Sequence, residues 1–401
     1  MNTDGHRLRQ TGRTDRRIFR REQGMLPALG FIALLAGLPV SAAITLLDDG
    51  YHVHPGDEIQ EAMQAAATNQ VQKTVRVHAG EYRSRVRRQA LVWFNRSHDG
   101  IHLIAEGTVT LTAANPELAL PSEPGFPAVV NHVVYFGDGV SSNTVMQGFQ
   151  LTGANAFLTR AQTREMEPST AILKNFFFYS DGGAIKVFGR SYPVLRDLTL
   201  IDNFTRPCGA GISIQHQGYK EGAVRIENCV FRNNRAQGTG GALDLLVGSA
   251  AEVVNCLFVE NTSNTGEDLV AKNSGERPFV NNGVVTLFWN SKALFQNCTF
   301  AKNRNGVDDM GTESTYLQCL FGGNSEDTGL KGYPRYELAI NTGGTVRGCT
   351  FVGRILDVQG KVSAEQNRLS ASAPQFDASF VPQGAEFRDV GYRPKTALKT
   401  R

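Results

Sequence analysis

The sequence predicts an all-β fold: a single-stranded right-handed parallel β-helix of about 9–11 coils with an N-terminal capping helix. Three observations predict it. A short Cys–Phe quartet recurs along the chain, a glycine precedes several copies at one fixed offset, and an asparagine follows most copies.

The quartet is clearest in Asn228-Cys229-Val230-Phe231, Asn255-Cys256-Leu257-Phe258 and Asn297-Cys298-Thr299-Phe300, and continues in Gln318-Cys319-Leu320-Phe321 and Gly348-Cys349-Thr350-Phe351. Weaker copies are Gly148-Phe149-Gln150-Leu151, Asn175-Phe176-Phe177-Phe178 and Asp197-Leu198-Thr199-Leu200. Successive copies lie about 21 to 31 residues apart, with one larger gap, and a period in that range means a solenoid. Gly183, Gly241 and Gly283 each stand fifteen residues before a copy and open alternating runs. Each coil then holds one strand beginning at the glycine, a second ending near the Asn-Cys, and a short third around the Cys and Phe. Inward positions such as Val224, Ile226, Ala293 and Phe295 stack on equivalents one coil away, roughly 4.8 Å along the axis. Asn203, Asn234, Asn261, Asn303 and Asn324 suit tight turns, because the amide tolerates a left-handed backbone and bonds to neighbouring copies.

The ends read differently. Pro55-Gly56-Asp57-Glu58-Ile59-Gln60 opens an amphipathic helix within a cap at 48–73, with Ile59, Met63 and Ala66 on one face and Asp57 as N-cap. Thr74-Val75-Arg76-Val77 begins the first coil, the solenoid runs over 74–373, and a tail at 374–401 packs on the last coils and hides strand edges. Residues 1–43 carry seven Arg and three acids, so the formal +3 charge sits at the front and the body is nearly neutral. That balance gives no general drive toward nucleic acid. A basic start, an uncharged run over 25–47 and small residues Val40-Ser41-Ala42-Ala43 make an export signal that is either removed or kept as a membrane anchor. Either way the body lies outside the cytoplasm: periplasmic, extracellular or attached to the envelope. Arg16-Arg17-Ile18-Phe19 resembles a twin-arginine signal, which carries folded proteins.

The repeats, with the stretches Pro55 to Arg83 and Phe376 to Pro394, resemble the β-helix proteins of the pectin-lyase-like superfamily. Gly182-Gly183-Ala184-Ile185 and Gly240-Gly241-Ala242-Leu243, with the Phe-x-x-Asn copies, are also similar to chlamydial polymorphic outer-membrane proteins. These motifs specify fold rather than chemistry.

Five of the six cysteines, Cys229, Cys256, Cys298, Cys319 and Cys349, share the inward repeat position, and Cys208 is out of register. Side chains stacked one coil apart point the same way, which suits a ladder of buried free thiols better than disulfide dihedrals. One or two bridges, or a metal, stay open as alternatives.

The superfamily resemblance implies an active groove along the outward residues of one sheet. The column after the glycines is Lys186, Ser213, Asp244, Thr286 and Glu337, read here as solvated strand positions from which Lys186 and Asp244 reach substrate. The insertion Thr262–Asn282 holds Gly266-Glu267-Asp268-Leu269-Val270-Ala271-Lys272-Asn273-Ser274. It distantly resembles the segment of alginate lyases and chondroitinases that carries calcium ligands and a base, which would make Glu267 or Asp268 a Ca²⁺ ligand and Lys272 the base. A charged surface loop accounts for the same residues. His216 and Lys220 in a shorter insertion, and Arg83 and Arg85 after an early strand, are further substrate-binding candidates. Gly209-Ala210-Gly211 has Ala210 where polygalacturonases place an essential His, so that hydrolase is rejected. The eight His lack metal-ligand spacing.

Two functions follow. One is binding, and β-elimination if the chain is catalytic, of an acidic polysaccharide or envelope glycan; an anion beside a cationic base makes the proton on the adjacent carbon removable. The other is a non-catalytic envelope or adhesive solenoid. Fold alone does not choose.

Overall fold

A computed structural model describes residues 44–155, 181–263, 283–324, 336–353, 355–357 and 359–395. Strands wind through three faces. The first face is a nine-stranded parallel sheet that includes Ile185–Phe188, Ile212–Gln215, Leu243–Leu245 and Val285–Leu287. The second holds Val224–Glu227, Ala250–Val254 and Lys292–Gln296, and the third Val230–Arg232, Leu257–Val259 and Thr299–Ala301. Each strand pairs in parallel with its copy one coil on, as in Val230↔Leu257 and Leu257↔Thr299. Among the described residues nine coils cross the first face. The chain is a parallel β-helix.

Stacking of like on like makes the core. Phe231, Phe258, Phe300, Phe321 and Phe351 form a column with ring centroids 4.6, 4.8, 4.7 and 4.7 Å apart, nearly parallel. The coil rise sets that spacing. Cys229, Cys256, Cys298, Cys319 and Cys349 form a second column in which each thiol is buried, unbridged and directed at main-chain carbonyls, such as Cys256 Sγ to Val254 O at 3.4 Å.

The turns correct one expectation. The non-glycine left-handed residues at the corner between second and third faces are Asp197, Asn228, Asn255, Asn297, Gln318 and Gln366; at the next corner they are Asp202, Asn233, Glu260 and Lys302. The recurrent asparagines follow this second set by one residue and have no positive φ. Their role is a buried amide ladder. Asn203 Nδ2 donates to Asn234 Oδ1 (3.0 Å), Asn234 to Asn261 (3.0 Å), Asn261 to Asn303 (3.1 Å) and Asn303 to Asn324 (2.8 Å). Asn324 Nδ2 donates to Glu337 Oε2 at 2.5 Å, so an acceptor-only carboxylate ends the chain of amides.

At the start, helix α1 (Ile59–Thr68) buries Ile59, Met63 and Ala66, but its N-cap is Glu58; Asp57 instead accepts the His54 N–H at 2.8 Å. Gln60 acts as a surrogate strand edge, since its Oε1 accepts from Trp93 N (2.9 Å) and its Nε2 donates to Trp93 O (3.0 Å). The first rung is Gly50–Val53, paired in parallel with Thr74–Arg83, one strand earlier than expected. At the far end the chain turns back over the outer side of the third face. Tyr392 packs on Leu257 and Val259, Phe387 and Val390 on Leu320, and Lys395 reaches Asp197 at 2.7 Å. No helix among the described residues is long and apolar enough to cross a membrane; the 25–43 part of the apolar run and the copy at Phe176 lie outside the described residues.

Candidate functional site

The outward column of the first face is sealed. Lys186, Ser213 and Asp244 are fully buried, although their strand neighbours Ile185, Ile212 and Leu243 already fill the inner core. The Gly-Gly-Ala segments explain why. Gly182, Gly209 and Gly240 each adopt a left-handed φ (+75, +65 and +57) and turn the chain back over the outward residue four positions on. A Cβ on Gly209 would stand 2.6 Å from Ser213 Cβ, and one on Gly240 2.6 Å from Asp244 Cβ. Only a residue without a side chain allows that approach. The residues before these glycines, Asp181, Cys208 and Thr239, thus form a short ladder facing Lys186, Ser213 and Asp244.

The two ladders bond across the gap. Lys186 Nζ donates to Asp181 Oδ2 (2.5 Å) and Gln215 Oε1 (3.0 Å), and Ser213 Oγ donates to the same Asp181 oxygen (2.5 Å). Thr239 Oγ1 donates to Asp244 Oδ1 (3.1 Å), and the Cys208 thiol bonds Asp244 as well. Burial pushes the Asp244 carboxyl up to about 7, against the pull of these two donors. It also raises Asp181, a rise that Lys186 and Ser213 oppose. Asp181 Oδ1 and Asp244 Oδ2 accept no hydrogen bond among the described residues. Lys186 and Asp244 are therefore not solvated substrate contacts. They are parts of a dry polar seam, with the lysine charge neutralised by Asp181. The column also continues differently: Thr286 pairs with Asp308, and Asp308 with Ala339, while Glu337 leaves it for the amide ladder.

His216 is likewise structural. Its Nε2–H donates to Ser191 O (3.1 Å) and its Nδ1 accepts from Ala250 N–H (3.2 Å), which fixes the neutral tautomer. Burial pushes its pKa down to about 4. Arg83 is paired with Glu81, and Arg85 donates to Gly56 O at 2.6 Å beside Glu58; both line a small cleft against the start of α1. Glu267, Asp268 and Lys272 lie outside the described residues. Among the described residues no group of three or more His, Cys, Asp or Glu is arranged to hold a metal ion.

Arg83, Arg85 and Lys220 are the candidates that the fold presents to solvent, and Lys220 differs from the two arginines in its surroundings. It stands on the turn from first to second face, on a groove of about 470 Å³ lined by Gln215, Gln217, Gly218, Leu246, Val247, Gly248 and Asn290. Lys220 makes no ion pair with any described residue. Trp289, on the equivalent turn one coil beyond Val247, accepts the Gly248 N–H at 3.1 Å through its carbonyl and leaves its side chain outside. Trp289 and Val247 are 59% and 50% exposed. The lysine and three side-chain amides thus line one groove, and the exposed Trp289 stands on the adjoining turn, edge-on to Phe288.

The sequence reading missed Asp181, Cys208, Thr239 and Trp289. The first three were available as residues immediately before the left-handed glycine. Trp289 was available as a tryptophan two residues past a strand end, where a turn rather than a core is due.

A family model described as right handed beta helix region matches residues 138–284. No curated protein and no solved structure gives a significant match. The match and the parallel register together make the chain a right-handed parallel β-helix repeat protein.

Proposed function

We propose that this is an exported β-helix that binds an acidic polysaccharide along the corner groove at Lys220. The observation that carries the reading is the grouping there of an exposed ammonium with the Gln215, Gln217 and Asn290 amides, next to a turn that carries the exposed Trp289. A uronate-containing chain offers a carboxylate to the lysine, hydroxyls to the amides and a C–H face to the indole. A groove of this size is within the range of small-ligand sites, and apolar walls with a few convergent polar groups are their usual make-up. Neighbouring coils repeat the turn along the axis, so an extended polymer meets more than one storey of it.

Cleavage by β-elimination requires a base that reaches the sugar, and Lys272 is the base to test, since the sealed, ion-paired Lys186 makes no contact with substrate. A non-catalytic envelope or adhesive solenoid is the second reading. The purified chain is incubated with pectate, alginate and chondroitin, with and without Ca²⁺. Retardation in affinity electrophoresis reports binding, and ultraviolet absorbance reports unsaturated product. Binding lost in Lys220→Ala supports the groove; product lost in Lys272→Ala with folding intact supports a lyase. A chain that neither binds nor cleaves any of the three uronates overturns the proposal.

A further inference from the structure

His52 and His78 are 26 residues apart in the chain, and one coil of the solenoid brings them together. Gly50–Val53 runs parallel to Thr74–Arg83, with His52 opposite Arg76 and Val53 opposite Val77. Tyr51, Val53, Val75 and Val77 fill the core, so alternation turns His52, Arg76 and His78 outward. His52 Nδ1 lies 2.8 Å from His78 Nε2, and His52 Nε2 lies 2.8 Å from Asp49 Oδ1. Arg76 holds the other oxygen of Asp49 at 2.9 Å and also pairs with Glu106. The carboxylate is thereby fixed. It accepts the Nε2–H of His52, which leaves the Nδ1 lone pair of that ring directed at His78. His54 lies flat on His78, with ring centroids 4.2 Å apart and planes at 2°, so it stacks on the ring instead of pointing a nitrogen at the pair.

We propose that His52 Nδ1 and His78 Nε2 together bind a borderline divalent cation of the zinc, nickel or copper class. The two nitrogens already converge on one point. On a tetrahedral zinc they stand about 3.3 Å apart, so the pair opens by about half an ångström to admit the ion. His78 has only to carry its proton on Nδ1 in place of Nε2. The bond from Asp49 to His52 is the carboxylate contact that orients a metal-binding imidazole and raises its basicity. Two imidazoles meet here and no third protein donor does, so water fills the remaining positions on the open side. Imidazole ligands select this class of cation over Mg²⁺ and Ca²⁺. Burial, and then the neighbouring His54 and His52, hold the His78 pKa below the ordinary histidine value, which keeps its ring a neutral donor at pH 7. The bound ion staples the first rung of the second face to the next.

Calorimetric titration of the full chain with ZnCl₂, and with MgCl₂ for comparison, tests this. The wild type binds Zn²⁺ and not Mg²⁺, and its unfolding midpoint rises with Zn²⁺. His52→Gln and His78→Gln each weaken the binding roughly tenfold or more, and Asp49→Asn, which removes the charge that orients His52, weakens it about tenfold. His102→Gln, at an exposed histidine outside the pair, leaves it unchanged. Circular dichroism checks that each variant folds. Where one does not, the native chain is treated with diethyl pyrocarbonate, from which Zn²⁺ protects His52 and His78. No Zn²⁺ binding at millimolar ZnCl₂, equal binding of Mg²⁺, wild-type affinity in both histidine variants, or modification of both rings at an unchanged rate with Zn²⁺ present overturns the proposal.

Discussion

Gly240 lies directly over Asp244: a methyl group on this glycine would meet the Asp244 Cβ at 2.6 Å and the Leu243 carbonyl oxygen at 2.7 Å. The same relationship joins Gly209 to Ser213. Gly209→Ala and Gly240→Ala therefore combine a left-handed backbone cost with a clash against packed atoms, and each lowers stability by about 2–4 kcal/mol. Gly218, at φ +87 with nothing within 4 Å of its added Cβ, is the comparison. Gly218→Ala meets the backbone cost alone, about 1 kcal/mol. Denaturant unfolding of the three variants checks the difference.

The Lys186–Asp181 pair is fully buried, so its two charges are valuable only together. Lys186→Met strands a carboxyl without its counter-charge and costs about 3–5 kcal/mol. Adding Asp181→Leu recovers part of that loss by removing the stranded charge, the remainder reflecting Ser213 Oγ and Gln215 Oε1, which lose their partners. The same unfolding measurement reads both steps. A double variant as unstable as the single would contradict the pairing.

Asp244 and His216 act oppositely on the pH dependence of stability. Between about pH 4 and 7 the folded chain keeps a proton on Asp244 that the unfolded chain, near 3.8, has released, so Asp244 makes stability fall as pH rises. Between about pH 4 and 6.5 the unfolded chain protonates a His216 that the fold holds neutral, so His216 makes stability rise with pH. Asp244→Asn removes only the first contribution. The stability of the wild type relative to this variant therefore declines by about 1.4 kcal/mol per pH unit from pH 4 to 7 and is level above it. Unfolding midpoints at about pH 4.5, 6 and 8 suffice to read that slope.

Asn261 both accepts from the main-chain and side-chain N–H groups of Asn234 and donates to Phe231 O and Asn303 Oδ1. Asn261→Ala leaves buried partners on two coils unsatisfied, and its cost is about 2–4 kcal/mol. Lys220→Ala, in solvent, changes stability by less than about 0.5 kcal/mol. Thermal unfolding separates the two, and the second value is what makes a binding loss in Lys220→Ala interpretable.

The solenoid was legible because its cause is local and repeated: Phe231, Phe258 and Phe300 occupy the same place in each copy, and stacking needs nothing else. The site was less so. Period-two alternation assigns Lys186 and Asp244 to the outer side of their strands, which is correct, but outer is solvent-exposed only when nothing lies over it. The cover comes from Gly182, Gly209 and Gly240, whose left-handed turns are a three-dimensional consequence of the Gly-Gly-Ala spelling that alternation does not express. His216 looked available because it falls in a short insertion between strands; its partners Ser191 and Ala250 belong to neighbouring coils. Lys220 reads from the sequence as part of a short insertion, and the groove beside it is assembled from three turns far apart in the chain.

Replacing Ser213 and Gln217 separately with cysteine, and timing maleimide labelling of the native proteins, tests most directly whether the sheet column is closed and the corner open. The six native thiols are buried and contribute no fast background. Gln217→Cys is labelled at the rate of a free thiol, and Ser213→Cys only as fast as the protein unfolds. Equal, rapid labelling at both positions would contradict the sealed seam and return Lys186 and Asp244 to the surface.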